Sequence, residues 1–174
     1  MRDEIRRLQD QLRRTSADVK WVRPESVHLT LKFLGYVDEA QIEPLAQASA
    51  GAAEAHPQLA LRLDGMGVFP SRSRPRVVWL GLAGDVERLS ALQKDIESAA
   101  ADFGFEPENR AFTPHLTLGR VRSGRGRAEM TAALEGLEPR PLEFRAEEVI
   151  LFRSDLKPTG AVYTPLSRLP LKPE

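Results

Sequence analysis

The sequence predicts an α+β fold, bilobal and duplicated, in which two antiparallel sheets flank a central cleft and helices pack on the outer faces. Three observations carry this reading. The chain has 174 residues, 41% hydrophobic and 29% charged, which is enough for one domain with a real core and too little for a multidomain assembly. Residues 27–82 read strand, helix, strand, strand, and residues 114–167 read the same, an internal duplication within one domain spanning 1–174. The tetrapeptide His-Leu-Thr-Leu opens each half, as His28-Leu29-Thr30-Leu31 and His115-Leu116-Thr117-Leu118, 87 residues apart. Too few strands alternate with helices for a βαβ chain, so antiparallel sheets are favoured.

Taken in order, residues 3–14 place Ile5, Leu8 and Leu12 at helical spacing among polar residues. From Val27 to Leu34 the pattern alternates strictly, with Val27, Leu29, Leu31 and Phe33 on one side and His28, Thr30 and Lys32 on the other, which predicts a half-buried strand. Asp38 is placed to cap a helix running to about residue 55 and ended by His56-Pro57. Strands are expected near 58–68 and 76–82, joined by a loop of prolines and serines from Phe69 to Pro75. Asp85 begins a helix with Val86, Leu89, Leu92, Ile96 and Phe103 at the 3.6-residue period, stopping near Gly104. The second alternating strand, 114–118, leads into a Gly- and Arg-rich stretch from Gly119 to Arg127 and a short helix to about Leu137. Strands near 142–152 and 160–167 follow, and the tail Leu169–Glu174 is expected to be loosely held.

Composition removes several functions. The 25 basic and 25 acidic side chains cancel, so nonspecific coating of nucleic acid by a large positive field is excluded and phosphate binding has to be local. The absence of cysteine excludes disulfides, cysteine-ligated metal and thiol nucleophiles. No apolar run approaches the roughly 20 residues that span a bilayer, and the charged start offers no signal-peptide core, so a cytoplasmic protein with no membrane partner is expected. Arginine outnumbers lysine 20 to 5 beside abundant Ala and a single Asn, a GC-rich coding signature, so only clustered arginines carry information.

The repeated motif carries the chemistry. With only three histidines in the chain, chance puts a second one before Leu-Thr-Leu about once in a thousand such sequences. Strand geometry places the His and Thr of each copy on one face, opposite leucines that have to be buried. If the halves face each other, four side chains converge. An imidazole titrating near neutrality holds or releases a proton, so a facing pair suits a reaction in which one proton is removed and another delivered. A Thr hydroxyl on a stiff β-branched side chain is a fixed donor for a phosphoryl oxygen. A rival arrangement is a metal centre of His28, His115 and a carboxylate such as Asp38, although neither motif has an acidic residue at the close spacing of His-carboxylate metal signatures. His56, at a helix end, reads as structural.

The two motifs, in the context Trp21-Val22-Arg23-Pro24-Glu25-Ser26-Val27-His28-Leu29-Thr30-Leu31-Lys32-Phe33-Leu34-Gly35, resemble the 2H phosphoesterase superfamily. Within it the sequence is most similar to the RNA 2′,3′-cyclic phosphodiesterases, also called 2′-5′ RNA ligases. Val68-Phe69-Pro70, Arg76-Val77-Val78-Trp79-Leu80-Gly81 and Thr113-Pro114-His115-Leu116-Thr117-Leu118-Gly119-Arg120 extend the likeness over nearly the whole chain. The resemblance implies a bilobal α+β fold whose two central strands each present a His and a Thr. It also implies hydrolysis of a terminal 2′,3′-cyclic phosphate to a 2′-phosphomonoester, with no metal or other cofactor and with reversible 2′-5′ ligation as a possible companion activity. The catalytic residues implied are His28, His115, Thr30 and Thr117, with His28 matching the acid that protonates the leaving 3′ oxygen and His115 the base that activates water. Members of the family open with a short apolar strand before the first helix, which the residues ahead of Ile5 do not spell.

Arg120 matches a basic family position near the phosphate, yet by parity it falls with Leu116 and Leu118, away from His115, unless a bulge at Gly119 re-aims it. Arg122, Arg125 and Arg127, with Arg72, Arg74 and Arg76 of the other loop, are candidates for an RNA backbone. Lys32, on the face of Thr30, is a further phosphate candidate. The expected partner is RNA with a 2′,3′-cyclic phosphate end or a related nucleotide, bound by a monomer. Three alternatives stand beside this: a noncatalytic RNA-end or nucleotide-phosphate binder, a phosphodiesterase for a small cyclic-phosphate nucleotide, and an interaction protein with surface histidines.

Overall fold

The structure is a computed structural model that describes residues 1–157 and 160–173. Among them are four α-helices, α1 (Arg2–Arg13), α2 (Glu39–Glu54), α3 (Val86–Ala101) and α4 (Arg127–Glu135). The strands are β1 (Val19–Trp21), β2 (Leu59–Phe69), β3 (Val77–Gly84), β4 (His115–Val121), β5 (Glu143–Ala146), β6 (Glu148–Lys157) and β7 (Gly160–Pro170). One sheet has the order β1-β4-β3-β2-β5, and β6 and β7 form a second. The pairings of β4 with β1 and β3, and of β6 with β7, are antiparallel, in keeping with the expected α+β class. None of the described helices is long and apolar enough to cross a membrane. The chain divides into two compact units, the first drawn from Met1–Leu29, Arg62–Ala83 and His115–Glu143, the second from Thr30–Leu61, Gly84–Pro114 and the residues from Phe144 onward.

In the first unit, the apolar stripe of α1 is buried in full, and Ile5, Leu8 and Leu12 join Leu63, Val78, Leu80, Leu116, Leu118 and Met130 in the core. Two polar residues of α1 are buried with them. Gln9 donates through Nε2 to the carbonyls of Val22 and Leu118, at 2.7 and 3.0 Å, which locks the helix onto β4. The Glu4 carboxylate accepts from the Arg7 guanidinium at 2.6 and 2.9 Å and from the backbone N–H of Arg140 at 2.8 Å, so its burial is compensated.

The second unit buries Leu45, Ala46 and Ala53 of α2 and Leu89, Leu92, Ile96 and Ala100 of α3, along with Leu59, Leu61, Leu169 and Leu171. Asp85 precedes α3 as expected, but its carboxylate accepts from the backbone N–H of Ala60 at 2.8 Å, tying β2 to the helix start rather than capping it. Asp38 likewise makes no side-chain cap bond to α2. The tail is held more firmly than the sequence suggests. Leu171 is 2% exposed, and the backbone of Lys172 exchanges hydrogen bonds with His56 O (2.8 Å) and Gln58 N (3.0 Å); Glu174 lies outside the described residues.

Three elements differ from expectation. The predicted strand over 27–34 reduces to one antiparallel bridge, Leu29 with Leu116. The register of that bridge would next bring Leu31 to Pro114, which has no N–H to offer, and the chain turns away. The alternation accordingly fails to bury Phe33, which is 82% exposed, and Tyr36 is 87% exposed. β1 was not expected; its three residues are too few to show a period. The strand expected over 142–152 is two strands broken at Glu147, β5 and β6, which enter different sheets.

Candidate active site

β4 carries the second motif and obeys the strand rule at its start. Leu116 and Leu118 are buried, and His115 and Thr117 lie on the opposite face, across from Gly81 and Trp79 of β3. The register then shifts. Val78 pairs with Gly119 while Trp79 pairs with Thr117, so Leu118 is an extra residue on β4, a β-bulge. Beyond it Gly119 falls on the core side with Val78, and Arg120, across from Val77, comes round to the face of His115 and Thr117. Simple parity would have placed Arg120 with the leucines.

The same face is lined by aromatic rings. The His115 imidazole and the Phe69 ring meet edge to face, with centroids 5.0 Å apart and an interplanar angle of 79°. Phe69 in turn stacks on Trp79 at 5.2 Å. Trp79 lies so close over β2 that a Cβ at Gly67 would come within 2.4 Å of its ring, which accounts for a glycine in mid-strand. Opposite His115, Gly81 has no room for a side chain, because a Cβ there would come within 2.4 Å of the Asp64 carbonyl oxygen.

The first motif follows a turn of 3₁₀ helix, Pro24–Ser26, and His28 directly precedes the bridging Leu29. The register of the bridge sets His28 across from Thr117. His28 is half-buried, and its Nδ1 lies 2.9 Å from the carbonyl oxygen of Ser26. A carbonyl only accepts, so Nδ1 carries a proton whether the ring is neutral or cationic, and the exchangeable site is Nε2. Thr30 is exposed and is the first residue of the second unit. Past it, the Lys32 ammonium is enclosed, bonded to the Glu97 carboxylate at 2.6 Å and to the Glu106 carbonyl at 2.5 Å. With its side chain 7% exposed, Lys32 reaches a phosphate only if that pair opens. Gln93 donates to Leu31 O and to Glu97, so the segment after Thr30 is fastened to α3 by side chains in place of a ladder.

The remaining basic candidates are dispersed. Arg76 is exposed; its backbone bonds Phe69 and Val121, one residue out of phase with Arg120. Arg122 is exposed and its N–H donates to Asp18 O. Arg125 is also exposed, but its Nε donates to Ser16 O at 3.1 Å, bracing the loop. Arg72 pairs with Glu135. Among the described residues no three His, Asp or Glu side chains are grouped to hold a metal. Reading the sequence alone missed Lys20, across from Arg120 on β1, and the Phe69–Trp79 wall. Its one available signal was Val68-Phe69-Pro70 with Arg76-Val77-Val78-Trp79.

Comparison with known proteins gives consistent likenesses. A family model described as LigT-like phosphoesterase matches residues 1–79 and 80–163. The chain is 38% identical over 167 residues to the RNA 2′,3′-cyclic phosphodiesterase of Methanothermobacter thermautotrophicus, covering 94% of this chain and 89% of that protein. It is 34% identical over 143 residues to the RNA 2′,3′-cyclic phosphodiesterase of Thermotoga maritima, covering 82% and 74%. Among solved structures, a Thermus thermophilus protein superposes with a TM-score of 0.80 at 27% identity over 99% of this chain and 92% of that one. E. coli LigT complexed with 3′-AMP superposes with a TM-score of 0.74 at 27% identity, covering 98% and 92%.

Proposed function

The chain belongs to the LigT-like phosphoesterase family, and we propose that it hydrolyses the 2′,3′-cyclic phosphate at an RNA end to a 2′-phosphomonoester by paired-histidine acid–base catalysis. The observation that carries this reading is the joining of the two His-x-Thr-x copies by the Leu29–Leu116 bridge, with His28 across from Thr117. The names of the Methanothermobacter and Thermotoga relatives support the substrate.

In the reaction, water attacks phosphorus, a new P–O bond forms and the bond from phosphorus to the 3′ oxygen breaks. His115 takes the water proton, and His28 delivers a proton from Nε2 to the departing 3′ oxygen. The Ser26 carbonyl suits His28 to this, because it holds Nδ1–H in place and leaves Nε2 as the atom that passes the proton. The Phe69 edge contact limits the tilt of the His115 ring. The hydroxyls of Thr117 and Thr30 donate to the nonbridging oxygens, and Arg120 supplies positive charge on the face of Thr117. No step uses a metal, so exhaustive chelation leaves the rate unchanged; a loss restored by one divalent ion would favour the metal centre instead.

The test is product analysis on a short RNA ending in a 2′,3′-cyclic phosphate. A 2′-phosphomonoester with multiple turnover is expected. Tight binding without turnover would make the protein an RNA-end binder.

A further inference from the structure

β1 sets Lys20 directly across from Arg120. Opposed residues of antiparallel strands share a face with Cβ atoms about 4.5–5.5 Å apart, and like charges so placed work against folding. Both side chains are exposed, and among the described residues neither has an ion-pair or hydrogen-bond partner. The next pair along this edge is Asp18 and Arg122, joined through the backbone at 2.9 Å, so three cations there stand beside one carboxylate. The opposite face of β1 is taken up by packing, where Val19 and Trp21 crowd Gly119 and Arg13 of α1 lies 5.7 Å over the Trp21 ring. Lys20 therefore points away from the core and onto the face of His115 and Thr117.

A chain with no net charge that keeps two unneutralised cations side by side here has an anion to bind. One phosphate does not fill both places. Because Leu118 is a bulge residue, Arg120 lies two ladder positions from Thr117, as Val77 does from Trp79, about 7 Å along the sheet at roughly 3.3 Å per residue, and Lys20 is a further strand away. Arg120 is long enough to lean back toward a phosphate at Thr117, which leaves Lys20 beyond it. We infer that Lys20 binds the phosphodiester joining the terminal nucleotide to its neighbour, so that the site selects an oligonucleotide end over a mononucleoside cyclic phosphate. The inference rests on the cyclic phosphodiesterase reading and adds the length of the substrate to it.

The experiment compares kcat/KM for a mononucleoside 2′,3′-cyclic phosphate and for a tetranucleotide ending in the same nucleoside 2′,3′-cyclic phosphate. Wild-type protein is set beside Lys20→Gln, Lys20→Arg and, as a control on the exposed side of α3, Lys94→Gln. For Lys20→Gln the preference for the tetranucleotide should fall about tenfold, through KM, as for loss of one charge-assisted contact. The slope of log kcat/KM against log salt should become shallower by about 0.7 on the tetranucleotide, the value for one phosphate contact on a single strand. Lys20→Arg should retain the preference and Lys94→Gln should match wild type. An unchanged ratio in Lys20→Gln, or an equal loss on both substrates, would overturn the subsite and leave the phosphodiesterase reading intact. Failure of the wild type to turn over either substrate would overturn both.

Discussion

His28 and His115 meet different neighbours, the Ser26 carbonyl at His28 Nδ1 and the Phe69 ring against His115, and the proposed mechanism gives the two imidazoles different work. Replacing either by Ala should lower turnover about 10²- to 10⁴-fold, the range for loss of a general acid or base. His56→Ala should stay near wild type, because His56 bonds Asp95 at 2.7 Å between α2 and α3 and belongs to neither motif. Circular dichroism of each variant separates lost chemistry from lost fold. In the proposed mechanism only the singly protonated pair is productive, so kcat/KM should rise and then fall with pH, with limbs belonging to the pair rather than to either ring. A rate climbing steadily from about pH 5 to 9 would contradict paired roles. The motif residues were legible in the sequence because repetition marks them. Lys32 shows where residue-level reading ends: nothing in its own segment announces that Glu97, 65 positions later, encloses its ammonium.

The helices were legible because burial and period coincide; Leu89, Leu92 and Ile96 of α3 fall on one stripe and all three are buried. Strands were less so. The bulge at Leu118 leaves no mark in composition, yet it decides the face on which Arg120 stands. The strand over 27–34 has a good period but meets a proline at the partner position, a fact that depends on pairing rather than on sequence order. The arginine-rich loop before α4 is shaped by Gly126, at φ +61°, where a Cβ would approach Ala17 N to 2.3 Å and the Ser16 carbonyl carbon to 2.4 Å. Around it Ser16 donates to Glu129 through both N–H (2.9 Å) and Oγ (2.6 Å), which holds the Glu129 carboxyl below its ordinary range. Gly126→Ala combines left-handed strain with a collision against backbone, so we expect a loss of about 1–3 kcal/mol and a Tm lower by several degrees. An unchanged thermal melt would show that the loop yields at no cost.

For the whole molecule, balanced charge makes local ion pairs decide the response to acid. The hydrogen bond from Arg7, and after it the N–H of Arg140, hold the buried Glu4 carboxyl below the ordinary 4.5, against the opposing effect of desolvation. A carboxylate whose folded pKa is depressed contributes its stability above the unfolded value and loses it as pH falls through the folded one. Glu4→Gln should therefore be less stable than wild type by about 1–3 kcal/mol at pH 7, and denaturant titrations should show the gap closing below about pH 4. A gap independent of pH would assign the loss to packing. Fold class and both motif copies could be read from the chain itself, since each depends on local period or repetition; the cation pair on β1 and β4 could not, since it arises only when Val19–Trp21 meets Gly119–Val121. In the proposed catalysis one histidine gives a proton and the other takes one. This division is tested most directly by measuring kcat/KM of His28→Ala and His115→Ala on a natural cyclic phosphate and on an analogue whose leaving group is nitrophenolate, which needs no proton. His28→Ala should regain most of its lost rate on the nitrophenyl substrate while His115→Ala stays impaired; equal recovery by both variants would rule out separate acid and base roles.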